Sequence, residues 1–438
     1  MATHTFTGGI HPYEGKDMTK DKSIRNVFPK GDLVYPLLQH IGAPAKPIVK
    51  KGNRVLTGQM IAEASAFVSA PIYATVSGKV KAIEPRRVVT GESVMSIVVE
   101  NDGLYEEVEY PPGLNIASCS REDIIKRIKD AGIVGMGGAG FPTFIKLSPK
   151  KPAKIDYVIV NCAECEPYLT SDYRRMVEEP EKLINGLKVS LSLFPNAQGI
   201  LAVEDNKKDC IDMLKKRTKD NKRISVKVLK TKYPQGAERQ LIYATTGRKI
   251  NSSMLPADVG CIVNNVDTVV AIYYAVIEGK PLMERIVTVT GDAIKHPRNF
   301  KVRIGMNYHE LIDEAGGFRV RPAKIISGGP MMGFGIFELD VPTTKTSSAL
   351  LCLSKDDVSS MEPTACIHCG RCVEVCPGRV MPTNLMTAAI QGDEEAFLKL
   401  NGMECCECGC CSFICPAKLP LTQTIKSMRK MQLEKKND

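Results

Sequence analysis

The chain has 438 residues, enough for about three domains, so a single small binding module is excluded. Its hydrophobic fraction of 43% and charged fraction of 25% are those of a globular protein and exclude a disordered or fibrous chain. The formal net charge of +10 favours anionic partners, such as nucleotide phosphates, an acidic protein or an anionic membrane surface. The basic run over residues 207–232 lacks interleaved aromatic residues, so we expect a solvated surface there and no nucleic-acid partner.

Neither a membrane span nor a signal peptide is predicted. The longest apolar run covers residues 269–277 and is shorter than the roughly 18 residues that a span requires. The N-terminal segment lacks the apolar stretch of a signal peptide. We therefore expect a cytoplasmic chain.

The N-terminal part is predicted to be an arm followed by a β domain. Residues 1–34 are rich in Gly, Pro and Lys and predict an extended arm that contains Gly8-Gly9-Ile10-His11-Pro12. Over residues 35–105, short β-prone runs alternate with glycines, which is typical of a compact barrel or sandwich. This stretch resembles the lipoyl/biotinyl type of barrel-sandwich hybrid. Its expected hairpin tip, residues 64–67, has no lysine, so the pattern favours a structural or docking domain over a swinging-arm carrier.

Helical and strand patterns alternate in the middle of the chain. A polar start followed by isoleucines at helical spacing predicts a helix over residues 119–131, and apolar runs predict buried strands at 155–161 and 199–205. Together they predict an α/β domain over residues 115–283. Residues 284–345 contain strand patterns around one helix that ends in glycine, which is typical of a small β-grasp domain.

Residues 350–438 form a region of helical pattern that ends in a basic tail, and ten of the sixteen cysteines lie between Cys366 and Cys415. Two groups follow the C-x2-C-x2-C-x3-C-P run of two-cluster ferredoxins, in which the fourth cysteine ligates the other cluster. The sequence therefore assigns the thiolates to two 4Fe-4S clusters, one held by Cys366, Cys369, Cys372 and Cys415, and the other by Cys405, Cys408, Cys411 and Cys376. Zinc is the alternative metal. A zinc site is completed by two separate C-x2-C pairs, whereas each run here continues beyond its first C-x2-C pair to a third and a fourth cysteine. Cys406, Cys410 and His368 are interpreted as neighbours of ligands.

A glycine-rich loop, residues 135–140, formally satisfies G-x-G-x-x-G. A Rossmann fingerprint requires a strand before the loop, and here a helix is predicted before it, so we reject that interpretation. Consecutive glycines can still expose backbone N–H groups to a phosphate or a flavin. A tight helix-to-helix turn is the alternative, and the loop alone does not decide between them.

Three motifs together resemble the signatures of the FMN- and NADH-binding subunit of respiratory complex I. They are residues 137–143 with Lys146, residues 161–167, and residues 264–268. The β-grasp segment is similar to the soluble-ligand-binding β-grasp domain. With the arm, the barrel-sandwich region and the dicluster region added, the whole chain resembles the C subunit of the Rnf complex, the ion-translocating ferredoxin:NAD oxidoreductase. This order of modules is more specific than any one motif.

The resemblance implies a site for FMN and NAD(H). The loop glycines would pass beneath the flavin phosphate and the NADH, residues after the first strand would line the isoalloxazine and nucleotide pocket, and residues after a later strand would hold the ribityl phosphate. The implied residues are Gly135, Gly137, Gly138, Phe141 and Lys146 at the loop; Asn161, Glu164 and Glu166 at the isoalloxazine; Tyr233, Gly236 and Glu238 in a Tyr-x-x-Gly element; and Asn264, Asn265 and Thr268 at the phosphate.

Three positions depart from the complex I pattern and remove charge. Met136 replaces an Arg, Ala163 an Asp, and Ala237 a Glu. A solvated loop pair is the alternative for Glu164 and Glu166, but ligand sites of α/β domains gather just after buried strands.

The function implied by the resemblance is that of a peripheral electron-transfer subunit on the cytoplasmic face of the membrane. It would exchange electrons between NAD(H), FMN and two 4Fe-4S clusters, in contact with other subunits and, indirectly, with ferredoxin. A cobalamin reductase of the microcompartment type is the alternative enzyme, although the N-terminal Gly-Gly-Ile-His-Pro arm argues against it. A docking scaffold with structural clusters and an inactive flavin site is the non-enzymatic alternative.

Overall fold

The computed structural model describes residues 3–435, and two sheets of its N-terminal region form one β domain. Sheets β2-β8-β7-β4 and β3-β5-β6 share an apolar core in which Leu33, Ile61 and Ile97 are fully buried. The strands of this region are β1 (Arg25–Asn26), β2 (Leu33–Pro36), β3 (Lys46–Pro47), β4 (Arg54–Val55), β5 (Met60–Glu63), β6 (Ile72–Tyr73), β7 (Gly78–Arg87) and β8 (Ser93–Asn101). The predicted barrel-sandwich fold is confirmed.

The α/β domain is built on a parallel sheet with the order β11-β10-β9-β12. Its strands are continuous apolar runs because both faces are covered: Val158 and Val160 belong to one core, and Ile159 to the core on the opposite face. The elements are α1 (Arg121–Asp130), α2 (Thr143–Lys146), β9 (Tyr157–Cys162), α3 (Ser171–Glu178), α4 (Pro180–Ser192), β10 (Gln198–Glu204), α5 (Lys208–Thr218), β11 (Ile224–Leu229), α6 (Glu238–Thr246), β12 (Cys261–Asn265) and α7 (Val266–Ile277). The predicted α/β class is confirmed.

The β-grasp domain forms a sheet with the order β1-β14-β13-β17-β15-β16. Its elements are β13 (Glu284–Thr290), β14 (Arg298–Arg303), α8 (Tyr308–Glu314), β15 (Lys324–Ser327), β16 (Phe334–Ile336) and β17 (Ala349–Leu353). The sheet therefore extends past the boundary predicted at residue 345, because β17 pairs with both β13 and β15. The run Ala-Leu-Leu-Cys-Leu lacks the alternation of a half-buried strand, since it is buried in the middle of the sheet.

The cysteine-rich C-terminal domain, which we call the cluster domain, is helical. Leu385, Phe397 and Ile425 are fully buried in its core. Its helices are α9 (Arg371–Glu374), α10 (Pro382–Gln391), α11 (Glu394–Lys399), α12 (Cys410–Ile414) and α13 (Leu421–Glu434), and short 3-10 turns elsewhere are Lys16–Met18, Pro152–Lys154, Pro256–Val259 and Gly402–Glu404. Helix α13 contains most of the predicted basic tail, and residues 436–438 lie outside the described residues. Along residues 3–435, no helix combines the length and the apolarity needed to cross a bilayer.

The N-terminal arm lies between the α/β domain and the cluster domain. The Gly9 amide donates to the Val375 carbonyl (2.8 Å), and Ile10 and Tyr233 exchange backbone hydrogen bonds of 2.8 and 2.9 Å. Gly9 has a φ of +86°, and a Cβ there would lie 2.8 Å from the Tyr233 carbonyl oxygen. The glycine pair of the arm therefore meets a steric requirement of this junction.

Lys345 joins three domains through its buried ammonium group. Its Nζ donates to the carbonyls of Pro71 in the β domain (2.6 Å) and Gly132 in the α/β domain (2.7 Å). The side chain is 1% exposed, and burial lowers its pKa from 10.5 to about 7. Lys345 therefore links the domains through hydrogen bonds. At pH values below its pKa, the protonated amine places a destabilising positive charge in this buried position.

We expect the stability of the protein to rise with pH between about 7 and 10.5, because the unfolded chain binds a proton at Lys345 that the folded chain has released. Lys345→Met should remove this part of the rise, whereas Lys355→Met, at an exposed position, should keep it. Denaturant unfolding of the three proteins over this pH range measures the effect. Parallel pH profiles for all three would contradict the role given to Lys345.

Candidate functional site

The polar residues predicted to bind a cofactor meet at one edge of the α/β sheet. Strands β9 and β12 are parallel neighbours, with Asn265 opposite Asn161, although β10 and β11 come between them in the chain. The strand order therefore reverses between β9 and β12. Ligands of open α/β sheets bind at the carboxyl ends of the strands at such a reversal. Asn161, Asn264 and Asn265 all lie at these carboxyl ends.

The glycine loop presents free backbone amides beside this edge. Gly137, Gly138 and Ala139 are exposed, and their N–H groups donate no hydrogen bond to any described residue. The loop is anchored behind them, since the Met136 amide donates to the Thr268 hydroxyl (3.0 Å). A Cβ at position 137 would lie 2.9 Å from the Asn265 Cβ, so only glycine fits there. The loop has the form of an anion cradle.

Asn264, at the carboxyl end of β12, has an unsatisfied side-chain amide. Its side chain is 3% exposed, and neither its oxygen nor its nitrogen has a hydrogen-bond partner in the described structure. Both side-chain amide atoms of Gln235 are buried without partners as well. Leaving such groups unpaired costs about 1–3 kcal/mol each, so a ligand that pairs with them is stabilised. These residues fit a phosphorylated flavin, which offers both donors and acceptors.

Lys146 and Asn161 complete the wall of the site. The Lys146 ammonium lies 3.2 Å from the Val263 carbonyl and 3.3 Å from a Glu238 carboxylate oxygen. The Asn161 amide donates to the Gly236 carbonyl (2.8 Å). Gly135 starts the loop with a hydrogen bond to the Phe141 carbonyl (2.9 Å). The structure thus brings the loop, the strand ends and the Tyr-x-x-Gly element together, as the sequence predicts.

The two acidic residues have protein partners that the sequence did not reveal. Glu164 accepts hydrogen bonds from the amides of Asp172 (2.7 Å) and Tyr173 (3.3 Å), at the first turn of α3. Glu166 accepts from the amides of Met331 (2.7 Å) and Met332 (3.2 Å) in the β-grasp domain. Burial raises the pKa of both carboxyl groups. Both carboxylates are engaged in structural contacts, and a role in the nucleotide pocket stays a prediction.

Lys16 of the arm fixes this acidic segment. Its ammonium donates to the carbonyls of Glu164 (2.8 Å), Glu166 (3.0 Å) and Leu169 (2.5 Å), and it lies 3.9 Å from the Glu164 carboxylate. Sequence reasoning missed Lys16, because a lysine in a Gly- and Lys-rich arm has the pattern of a solvated residue. It also missed Gln235, for which the sequence carries no signal beyond its place between Tyr233 and Gly236.

The two cysteine runs fold into matching loops. The amide of His368 points to the Cys366 sulfur (3.4 Å), and the amide of Glu407 points to the Cys405 sulfur at the same distance. His368 and Glu407 share a left-handed backbone, with φ of 53° and 56°. Each loop thus directs a backbone donor at the sulfur of its first cysteine.

The fourth cysteine of each run lies beside the other run. The thiol of Cys376 lies close enough to those of Cys405 and Cys411 to interact with them electrostatically, and the thiol of Cys415 interacts in the same way with that of Cys372. This exchange is the one that the sequence predicts for two 4Fe-4S clusters. Among residues 3–435, no three His, Cys, Asp or Glu side chains converge on a point suited to a single metal ion. The assignment of all eight cysteines stays a prediction that rests on the spacing and on this exchange.

The two loops differ in burial. Cys408 and Cys410 pack with Ile10 and Tyr233 at the junction with the α/β domain, and the Tyr233 hydroxyl donates to the Cys408 carbonyl (2.7 Å). Cys369 is exposed, and its neighbour Ile367 is 66% exposed. We call the group with Cys405, Cys408, Cys411 and Cys376 the inner group, and the group with Cys366, Cys369, Cys372 and Cys415 the outer group.

Family models match the chain in the order expected from its modules. The RnfC barrel-sandwich hybrid domain matches residues 4–104, the Nuo51 FMN-binding domain residues 128–274, the SLBB domain residues 286–335, and a 4Fe-4S binding domain residues 361–381. The Nuo51 match covers the glycine loop and both asparagine-bearing strands.

Full-length relatives are similar over most of the chain. The C subunit of the Na(+)-translocating ferredoxin:NAD(+) oxidoreductase complex of Acetobacterium woodii is 46% identical over 87% of this chain and 86% of its own. The C subunit of the proton-translocating complex of Clostridium ljungdahlii is 46% identical over 87% and 83%. The C subunit of the ion-translocating oxidoreductase complex of Rhodobacter capsulatus is 38% identical over 97% and 82%.

Among solved structures, the NAD+-reducing NiFe hydrogenase in its air-oxidised state aligns with a TM-score of 0.50. The alignment covers 66% of this chain and 59% of that chain, at 18% sequence identity. This likeness supports the fold.

Lys16→Met should lower the free energy of unfolding by about 3–5 kcal/mol, because it leaves buried carbonyls and the Glu164 carboxylate without their cation. Lys20→Met is the matched control: Lys20 makes an exposed ion pair with Asp17, and its loss should cost about 1 kcal/mol or less. Urea unfolding followed by circular dichroism measures both. Equal effects of the two substitutions would contradict the anchoring role of Lys16.

Proposed function

Since the chain belongs to the family of C subunits of ion-translocating ferredoxin:NAD+ oxidoreductase complexes, we propose that it is the component that exchanges electrons between NAD(H), FMN and two 4Fe-4S clusters. The reaction class is that of an oxidoreductase. The other redox and membrane subunits of the complex are its partners, ferredoxin is reached through them, and the position of the chain is peripheral, on the cytoplasmic face of the membrane.

One observation carries this proposal. The segment from Tyr233 to Gly236 touches the flavin site at one end and the inner cysteine loop at the other. At Gly236, the carbonyl accepts the Asn161 amide, and at Tyr233 the hydroxyl reaches the Cys408 carbonyl. A single turn of chain therefore supports both cofactor sites, which favours electron transfer between them over two unrelated roles.

FMN, when bound, would supply the exchange of one hydride, which carries two electrons, with NADH and the passage of those electrons one at a time to iron–sulfur clusters. The amides of Gly137 and Gly138 would hold its phosphate, and Asn264 would bond to its polar atoms from below. Lys146 would provide a positive charge at the side of the isoalloxazine. The residues of the chain thus bind and orient, and none acts as an acid or a base in this scheme.

The burial of the two cysteine groups sets the order of transfer. The inner group adjoins the α/β domain, whereas the outer group has its loop at the surface. Electrons therefore pass between flavin and the inner cluster first, and between the outer cluster and another protein of the complex last.

Asn264→Ala should weaken FMN binding by roughly tenfold, since it removes the unpaired buried amide that we propose bonds to the flavin. Asn196→Ala, at an exposed asparagine outside the site, should bind FMN as the unmodified protein does. The measurement is anaerobic purification, assay of iron, sulfide and flavin, and visible spectra during addition of NADH. The unmodified protein should hold about eight irons and a flavin that bleaches with NADH.

Two other results would contradict the proposal. Rapid NADH-dependent reduction of cob(II)alamin, at a rate comparable with flavin reduction, would favour a cobalamin reductase. Iron without any flavin binding or NADH response would favour a scaffold with structural clusters.

Removal of single ligands tests the order of the clusters. In Cys369→Ala the outer cluster should be lost and the inner cluster should still be reduced by NADH, because the path from flavin is intact. In Cys408→Ala the surviving outer cluster should be reduced far more slowly. Freeze-quench electron paramagnetic resonance after mixing with NADH follows both. Equal rates of reduction of the remaining cluster in the two variants would overturn the order.

A further inference from the structure

Arg285 of the β-grasp domain reaches into the back of the flavin site. It lies on β13, and its side chain is 3% exposed. Its guanidinium donates to the Met136 carbonyl (3.3 Å), to the Asp267 carboxylate (2.6 Å) and to the Ser347 carbonyl (3.0 Å). One side chain therefore contacts the glycine loop, the first turn of α7 and the chain that leads into β17.

The contact with Met136 orients the anion cradle. In a trans peptide the carbonyl and the following N–H point in opposite directions. The cis bond found among the described residues is Tyr233–Pro234, so the Met136–Gly137 bond is trans. With the Met136 carbonyl directed at Arg285, the Gly137 N–H points away from the protein interior, into the open side of the loop.

The contact with Asp267 orients the segment that contains Asn264 and Asn265. The Asp267 carboxylate also accepts from Arg175 (2.8 Å), and the Asp267 amide donates to the Asn265 side chain (2.8 Å). Asn265 in turn donates to Asp172 (2.7 Å). Asp267 thus fixes the turn that follows Asn264, and Arg285 and Arg175 share the task of neutralising it within a buried environment.

We propose that Arg285 is the positioning residue for the flavin phosphate, and that it couples FMN binding to the docking of the β-grasp domain. The inference rests on the proposed function, because it concerns the same site. A planar guanidinium holds its N–H donors in a rigid fork, whereas the three donors of a lysine ammonium rotate on a flexible stem. Coupling is reciprocal: bound FMN stabilises the contacts of β13, and those contacts strengthen FMN binding.

The test is the affinity of the full-length, flavin-depleted protein for FMN, followed by quenching of flavin fluorescence. Arg285→Met should weaken binding by roughly tenfold or more, and Arg285→Lys should have an intermediate effect. Arg303→Met is the matched control, because Arg303 lies on the neighbouring strand β14 and pairs with Glu284. Its affinity for FMN should equal that of the unmodified protein.

Hydrogen exchange provides a readout that is independent of activity. Added FMN should slow amide exchange in residues 284–290 of the unmodified protein and of Arg303→Met, and should leave it unchanged in Arg285→Met. Iron content and circular dichroism verify folding, and Arg285→Lys serves if the methionine variant does not fold. Unweakened FMN binding by a folded Arg285 variant would overturn the inference and leave the proposed function intact. Failure of the unmodified protein to bind FMN would overturn both.

Discussion

The junction at Tyr233 is the contact on which the rest of the architecture depends. Its side chain is 1% exposed, its backbone pairs with the arm, and its hydroxyl bonds to the inner cysteine loop. A fold that carries electrons must hold its cofactor sites in fixed proximity, because the cofactors supply the chemistry and the protein supplies their placement. Here the placement is achieved by burying an aromatic side chain together with cysteines, on a segment that also forms one wall of the flavin site.

The N-terminal arm, which belongs to neither the α/β domain nor the cluster domain, contributes contacts to this junction. Its glycines pass where any side chain would collide with Tyr233 or with Val375, and its Lys16 enters a cluster of buried charges. That cluster contains Glu164 together with the pair Glu204 and Lys207 at the end of β10. Buried ions are tolerated where each finds a counter-charge and hydrogen bonds. The α/β domain therefore obtains part of its electrostatic balance from the first residues of the chain.

The sequence predicts most of the fold and much of the candidate site, since the relevant signals are local. Buried parallel strands appear as continuous apolar runs, cluster ligands have a fixed spacing, and the glycine loop is contiguous. Contacts between distant segments have no such signal. Arg285 appears as one of two charges at the start of an apolar strand, and the partners of Glu166 lie on a turn of another domain. Strand β17 lies beyond the predicted boundary for a related reason: its pairing with β13 spans a long stretch of sequence.

The matching loops around Cys366 and Cys405 have a consequence for energetics. The reduction potential of an iron–sulfur cluster depends on cluster type, on hydrogen bonds to sulfur and on exposure to solvent. The two loops direct the same amide at the same ligand position, at the same distance, so these bonds do not distinguish them. Exposure does, since Ile367 and Cys369 are exposed, whereas Tyr233 and Ile10 pack against Cys408. On the proposed assignment of ligands, two similar loops would thus hold their clusters at different potentials because they differ in what covers them.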